Sequence, residues 1–195
     1  MASPVIRKIA SDSGFEVELA NQTTYPDFTL THKETNYRIA LDVKTTYESA
    51  RMLFTLGGYN SFLRNGTKNI LHNYSTYSEH WILGFIYKQL DAHPVYDLDS
   101  MPKPGSVACP YEIVSAFLRQ KHEITGLRAG SGNTKNIGSI KLNSATEFET
   151  AEGPFTHFSK AKEACDFYWR DYDNLKTTIS TEAQLLQHQS FLQFK

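Results

Sequence analysis

Residues 37–47 read YRIALDVKTTY, and within them Ile39, Leu41 and Val43 alternate with Ala40, Asp42 and Lys44. A repeat of two residues marks a half-buried β-strand, because successive side chains leave a strand on opposite faces. One face here is apolar. The other carries an acid and a base two positions apart, and two residues of extended chain span roughly 6.6 Å. Carboxylate and ammonium therefore point into the same small volume.

The flanking sequence supplies strand partners. FEVEL (15–19) alternates in the same way, ANQTTYP (20–26) is a polar loop, DFTLTH (27–32) is a second strand and KETN (33–36) a turn. Together they predict a three-strand meander with the acid–base pair at the end of its last strand. WILGFIYKQL (81–90) predicts a central strand, and EIVSAFLRQ (112–120) and HEITGL (122–127) two more. Helices are expected in three places: after Ser3-Pro4, with Val5, Ile6 and Ile9 on one face and Gly14 as the stop; over GGYNSFLRN (57–65); and over SKAKEACDFYWRDYDNL (159–175), capped by Ser159. Residues 91–110 read as a connection, RAGSGNTKNIGS (128–139) as a loop, and the glutamine-rich last fifteen residues are weakly patterned. Strands outnumber helices and come in hairpins. The expected class is mixed α/β, α+β-like, with a central mixed β-sheet flanked by helices.

With 195 residues, 40% hydrophobic and 13% aromatic, one domain with a sizeable core is expected. No apolar run reaches membrane-helix length and no secretory signal opens the chain, so an intracellular protein is expected. Cys109 and Cys165 show neither metal-finger spacing nor a disulfide framework. A formal net charge of −1 argues against a general nucleic-acid binder. The charge is unevenly spread, however. Residues 119–141 hold Arg119, Lys121, Arg128, Lys135 and Lys141 against Glu123 alone, a local +4, and residues 142–195 hold eight acids and five bases, a local −3. Such a segment is either ordinary solvated surface or a basic patch that meets a polyanion.

Asp27 follows Pro26 at the head of the second strand. If strands two and three pair through KETN, Asp27 and Asp42 need not be direct neighbours, but twist and a bend can bring them to one sheet end. Asp27, Asp42 and Lys44 would then combine two hard oxygen ligands with one cation. Two close carboxylates both stay ionised readily only with a cation between them. Mg²⁺ fits, because it is held by one or two carboxylates plus waters and substrate phosphate. It can activate a water and offset phosphate charge, while Lys44 holds the water or the developing charge. On spacing alone, a plain salt bridge between Asp42 and Lys44 on a sheet face is the favoured reading.

YPDFTL (25–30), fourteen residues between the two acids, and LDVKTTY (41–47) form a pattern similar to that of the PD-(D/E)xK nucleases. More specifically, the chain resembles the EcoRV family of type II restriction endonucleases. The likeness runs on through FTLGGYNSFLRNGTKNI (54–70), HWILGFIY (80–87), AGSGNTKNIGSI (129–140) and FYWRDY (167–172), in order and with similar spacing. The resemblance implies a restriction-endonuclease-like core and a Mg²⁺-dependent enzyme of the bacterial cytoplasm. That enzyme would cut double-stranded DNA at a short palindrome as a homodimer. It implies Asp27 and Asp42 as metal ligands, the carbonyl of Val43 as a third, and Lys44 as the catalytic lysine. Gly130, Ser131, Gly132, Asn133 and Thr134 would form a recognition loop in the major groove, where glycines let the backbone approach base edges. Residues 21–25, including Gln22 and Thr23, resemble the minor-groove loop, although Thr23 and Thr24 stand where the family pattern has Asn and His. Thr45, Ser61 and Lys68 would contact the DNA backbone, which positions the enzyme without reading sequence.

Each assignment has an ordinary alternative. GSGNT can be a surface turn, Lys68 a solvated lysine, FYWRDY core and helix surface, and His80 and His122 structural. The family also carries an N-terminal subdomain that helps make the dimer, plus an acid near the active site. This chain is expected to lack both and to be one nuclease domain over 1–195, with a divergent segment at 176–195 and a weak dimer. Two other functions stay open: a repair or resolvase nuclease on the same core, and a DNA-binding module without catalysis.

Overall fold

A computed structural model of the chain describes residues 2–64, 69–90, 109–130 and 135–195. The alternating segments become strands β1 (Phe15–Leu19), β2 (Phe28–His32) and β3 (Arg38–Tyr47), an antiparallel meander in which Phe28 faces Leu41 and Leu30 faces Ile39. The central strand β5 (Glu79–Gln89) lies parallel to β3, Leu41 opposite Trp81, and antiparallel to β6 (Tyr111–Gln120). The five-strand sheet has the order β1-β2-β3-β5-β6, with β4 (Thr55–Gly58), β7 (Thr125–Ala129) and β8 (Asn136–Ser139) forming a smaller sheet of order β4-β8-β7.

The inner face of the large sheet carries Ala40, Ile82, Ile86 and Phe117 into the main core. Helix α3 (Ala161–Arg170) covers that core with Ala164, Cys165, Tyr168 and Trp169. The outer face buries Phe28 and Leu41 under Ile6 of helix α1 (Ala2–Asp12), and beyond α1 it remains an open apolar groove of about 550 Å³ lined by Trp81, Leu83, Phe85 and Leu118. Both faces of β5 are apolar for this reason.

Several expectations need correction. In α1, Ile6 and Ala10 face inward, whereas Val5 and Ile9 are exposed. Gly57 and Gly58 end β4 instead of starting a helix. Gly57 has φ +99°, and the Phe62 ring occupies the space a Cβ would need, so the pair makes a tight turn into a short π-helical segment, Asn60–Arg64. Residues 122–124 are not strand: Gln120 N–H donates to Glu123 Oε2 at 2.9 Å and caps one helical turn, α2 (Lys121–Ile124). Within 128–139, residues 136–139 are strand β8, because β4 and β7 offer it backbone partners on both sides. The long C-terminal helix breaks at Asp171 into α3 and α4 (Tyr172–Leu175). Lys160, not Ser159, holds the N-cap position, and the Ser159 hydroxyl lies within hydrogen-bond reach of the carbonyls of Phe194 and Lys195. Helix α5 (Glu182–Gln187) and a 3₁₀ turn at Gln189–Phe194 then bury Leu185 and Phe191 in the main core. Among the described residues, no helix is long and apolar enough to cross a membrane.

Candidate active site

The meander brings the two acids together more directly than the sequence suggests. Phe28 pairs with Leu41, so the next step of the register sets Asp27 beside Asp42. Asp27 follows a cis Tyr25–Pro26 peptide and its Oδ2 accepts from the Val43 N–H at 2.7 Å. Strand alternation turns Asp42 and Lys44 inward. Asp42 is 3% exposed and forms an ion pair with the Lys44 ammonium. The pair stands beside Asp27, whose charge adds to the cost of the buried Asp42 carboxylate.

Burial pushes the Asp42 carboxyl up to about 6, against the lowering effect of Lys44 and with a further push from Asp27. Two carboxylates at one place, one of them desolvated, suit a small hard cation. Among the described residues no third His, Cys, Asp or Glu joins them. A cation here would complete its shell with backbone carbonyl, water or substrate oxygens.

The acids and Lys44 stand in an open cleft of about 290 Å³ that also takes in Thr23, Thr24, Gly58, Ser61, Asn69 and Asn136. Ser61 reaches it from the π-helical segment. Thr23, at φ +67°, reaches it from the loop before Asp27. Gln22 is exposed on that loop and does not line the cleft. Thr45 is also exposed, and alternation places it on the face of Leu41 and Val43, away from Lys44. Gly130 closes the end of β7, its N–H donating to the Asn136 carbonyl at 3.0 Å. Lys68, Ser131, Gly132, Asn133 and Thr134 lie outside the described residues, as does most of the expected connection 91–110.

Behind the cleft is a layer that sequence reasoning missed. Tyr25 O–H and His80 Nδ1 are 2.7 Å apart, and His80 stacks on Tyr74 with ring centroids 3.9 Å apart. The buried Lys121 ammonium has no hydrogen-bond partner among the described residues and lies 5.1, 5.0 and 5.2 Å from the ring centres of Tyr25, Phe62 and Tyr74. Burial brings it down to about 8, against the raising influence of Asp42 and Asp166. Lys121 is therefore no part of a surface basic patch. Arg119 pairs with Glu123 and Lys135 with Asp173, so much of the basic segment is spent on internal partners. Asn136 and Asn69 carried no signal of their own. What marks them is that they lie inside the quoted blocks 129–140 and 54–70.

A sequence model of the restriction endonuclease EcoRV family matches residues 1–195. The chain belongs to that family. It is 42% identical over 182 residues to the type II restriction enzyme EcoRV of Escherichia coli, an alignment that covers 87% of this chain and 70% of that enzyme. It is accordingly a type II restriction endonuclease, a site-specific deoxyribonuclease whose partner is DNA, on the mixed α+β fold of such enzymes. Nucleases of the EcoRV family generally need a divalent metal, and the adjoining carboxylates of Asp27 and Asp42 at the cleft fit one.

Proposed function

We propose that Asp27, Asp42 and Lys44 are the catalytic centre, with Asp27, Asp42 and the Val43 carbonyl holding Mg²⁺, and that the enzyme cuts a short palindrome as a twofold homodimer in the bacterial cytoplasm. The observation that carries this reading is the pairing of Asp27 with Asp42 beside an inward lysine at the floor of an open cleft. When bound, the ion supplies Lewis-acid stabilisation of the scissile phosphate and an activated water. Asp27 is held in place by the Val43 N–H, so its free oxygen is fixed in direction. Asp42 pairs with the Lys44 ammonium at the cleft, and Lys44 would hold the attacking water or the charge that develops on the phosphate. Ser61 stands at the cleft wall for the DNA backbone; Lys68 and, at the exposed end of β3 outside the cleft, Thr45 are proposed as further backbone contacts. Residues 130–134 read base edges in the major groove, with Gln22 and Thr23 at the minor groove. A palindrome presents two equivalent phosphates, which a C₂ dimer meets with two equivalent sites.

Digestion of supercoiled plasmid with Mg²⁺ tests the reading. Discrete bands are expected, abolished by EDTA and by Lys44→Met, with DNA binding by the variant retained. Nicking that follows DNA structure instead of sequence would favour a repair or resolvase nuclease. A shifted gel band without cutting would favour a binding module. Conversion through an accumulating nicked circle marks two uncoupled cuts and a weak dimer, whereas passage straight to linear DNA marks a firm one.

A further inference from the structure

Residues 131–134 are flanked by two stems, the end of β7 at Ala129 and the start of β8 at Asn136, which are tied by the Gly130–Asn136 backbone hydrogen bond. Both stems are also fastened to helix α4, through consecutive residues. The Ala129 N–H donates to the Tyr172 hydroxyl at 3.0 Å, and Lys135 Nζ donates to Asp173 Oδ2 at 2.8 Å. The mount is rigid on the helix side. Tyr172 stacks on the fully buried Trp169, ring centroids 4.6 Å apart and planes 14° from parallel.

Among the described residues, Asp173 has two further cationic partners, and the Tyr59 hydroxyl also interacts with it. Arg64 reaches it at 2.9 Å and Lys176 at 3.1 Å. Arg64 also donates to the Arg170 carbonyl at 2.9 Å and to Asn60 Oδ1 at 3.3 Å, and it closes the π-helical segment that carries Ser61 into the cleft. The N–H of Tyr59, just before that segment, donates to the Lys135 carbonyl at 3.0 Å. One carboxylate thus joins a loop stem to the cleft wall, and Lys135, Lys176 and Arg64 together hold it well below the usual carboxylate range.

An acid that absorbs three cations beside a DNA-facing cleft weakens attraction to phosphate. A single exposed ion pair contributes little to stability. Its gain is geometric: three donors and a neighbouring tyrosine fix where the stems leave the sheet. We propose that Tyr172 and Asp173 are positioning residues that clamp both stems of residues 131–134 and couple them to the cleft wall, so that they govern sequence discrimination rather than DNA affinity. This rests on the reading that residues 130–134 contact base edges. Misplaced stems lose base contacts on the cognate site while phosphate contacts persist on every sequence.

The test compares cleavage of a duplex bearing the mapped site with duplexes carrying single base-pair changes, as the ratio of kcat/KM values. Asp173→Asn and Tyr172→Phe should each lower that ratio by about fivefold or more, with melting temperatures near wild type. The double variant should lose less than the product of the two, since both act on one element. Asp173→Asn should bind non-cognate DNA at least as tightly as wild type, because it frees three cations. Asp173→Glu should restore most of the discrimination, and Lys176→Met, which touches neither stem, should keep it. Unchanged ratios in both Asp173→Asn and Tyr172→Phe would overturn the clamp, as would an equal fall on cognate and altered duplexes. Asn133→Ala separates the two readings. If it lowers the ratio while the clamp variants do not, only the clamp is wrong; if it too leaves the ratio unchanged, the loop does not read bases and the clamp falls with it.

Discussion

Replacing Asp42 with asparagine should stabilise the metal-free protein at neutral pH, although it removes a residue placed at the catalytic centre. Asparagine keeps the shape of a protonated aspartate and discards the desolvated charge. The carboxyl moves from 3.8 to about 6 on folding, with Lys44 and Asp27 already included. Roughly two units at 1.36 kcal/mol each amount to about 3 kcal/mol. The sign follows from proton binding. Between pH 4 and 6 the folded protein holds a proton that the unfolded chain has released, so wild-type stability falls as pH rises through this window and then levels off. The Asp42→Asn variant is indifferent to it. The two proteins should therefore be alike near pH 4 and differ by about 3 kcal/mol in favour of the variant above pH 7. Urea denaturation in EDTA at half-unit steps from pH 4 to 8 reads the difference directly. Added Mg²⁺ should then reverse the order, stabilising wild type by about 4.1 kcal/mol at a thousandfold excess over Kd and the variant hardly at all. A variant less stable than wild type at pH 8 in EDTA, or a difference that does not change with pH, would refute the account of Asp42 as a desolvated charge that Lys44 only partly offsets.

Gly57→Ala should cost about 3 kcal/mol in stability, since a Cβ at φ +99° both strains the backbone and runs into the Phe62 ring; thermal melting checks it, and a wild-type melting temperature would show that the turn can relax. Lys121→Met should raise stability at pH 7. The amine falls from 10.5 to about 8 on folding, so wild type carries the full cost of the buried charge below pH 8, up to about 3 kcal/mol before the three rings offset part of it, and the variant's advantage should vanish as pH climbs toward 10.5; a variant that melts lower at pH 7 would contradict this.

The meander was legible because its residues obey a period of two, and the central strand because WILGFIY (81–87) is a continuous apolar run. The inward pair Asp42 and Lys44 was legible from the same period of two. The contact between Asp27 and Asp42 was not, because it depends on how the 33–36 turn closes. His32 N–H bonds the Tyr37 carbonyl and Asn36 adopts φ +55°, a geometry that KETN alone does not specify. HEITGL alternates like a strand, yet one side-chain cap from Glu123 bends its first half into a helical turn. Lys121 counted as a surface charge in the sequence, and only the convergence of Tyr25, Phe62 and Tyr74 from three distant segments makes it a buried one. Local pattern proposes no role for GSGNT and favours a plain salt bridge for Asp42 and Lys44; the roles proposed for them rest on the family resemblance.

The parallel pairing of β3 with β5 has a consequence for the order of assembly. Strands β2 and β3 meet across a short turn, so Asp27, Asp42 and Lys44 are gathered by contacts close in sequence. The cleft wall that carries Gly58, Ser61 and Asn69 lies in the crossover between β3 and β5, and Asn136 comes from farther still. Those parts arrive only when long loops close, which is the slow and entropically costly step of folding. The cluster of acids and lysine is thus local in the chain, whereas the open cleft around it is a long-range product of the finished fold. A nascent chain emerging past Tyr47 already holds its acids, but it gains a cleft only after β5, β6 and β8 have closed around them.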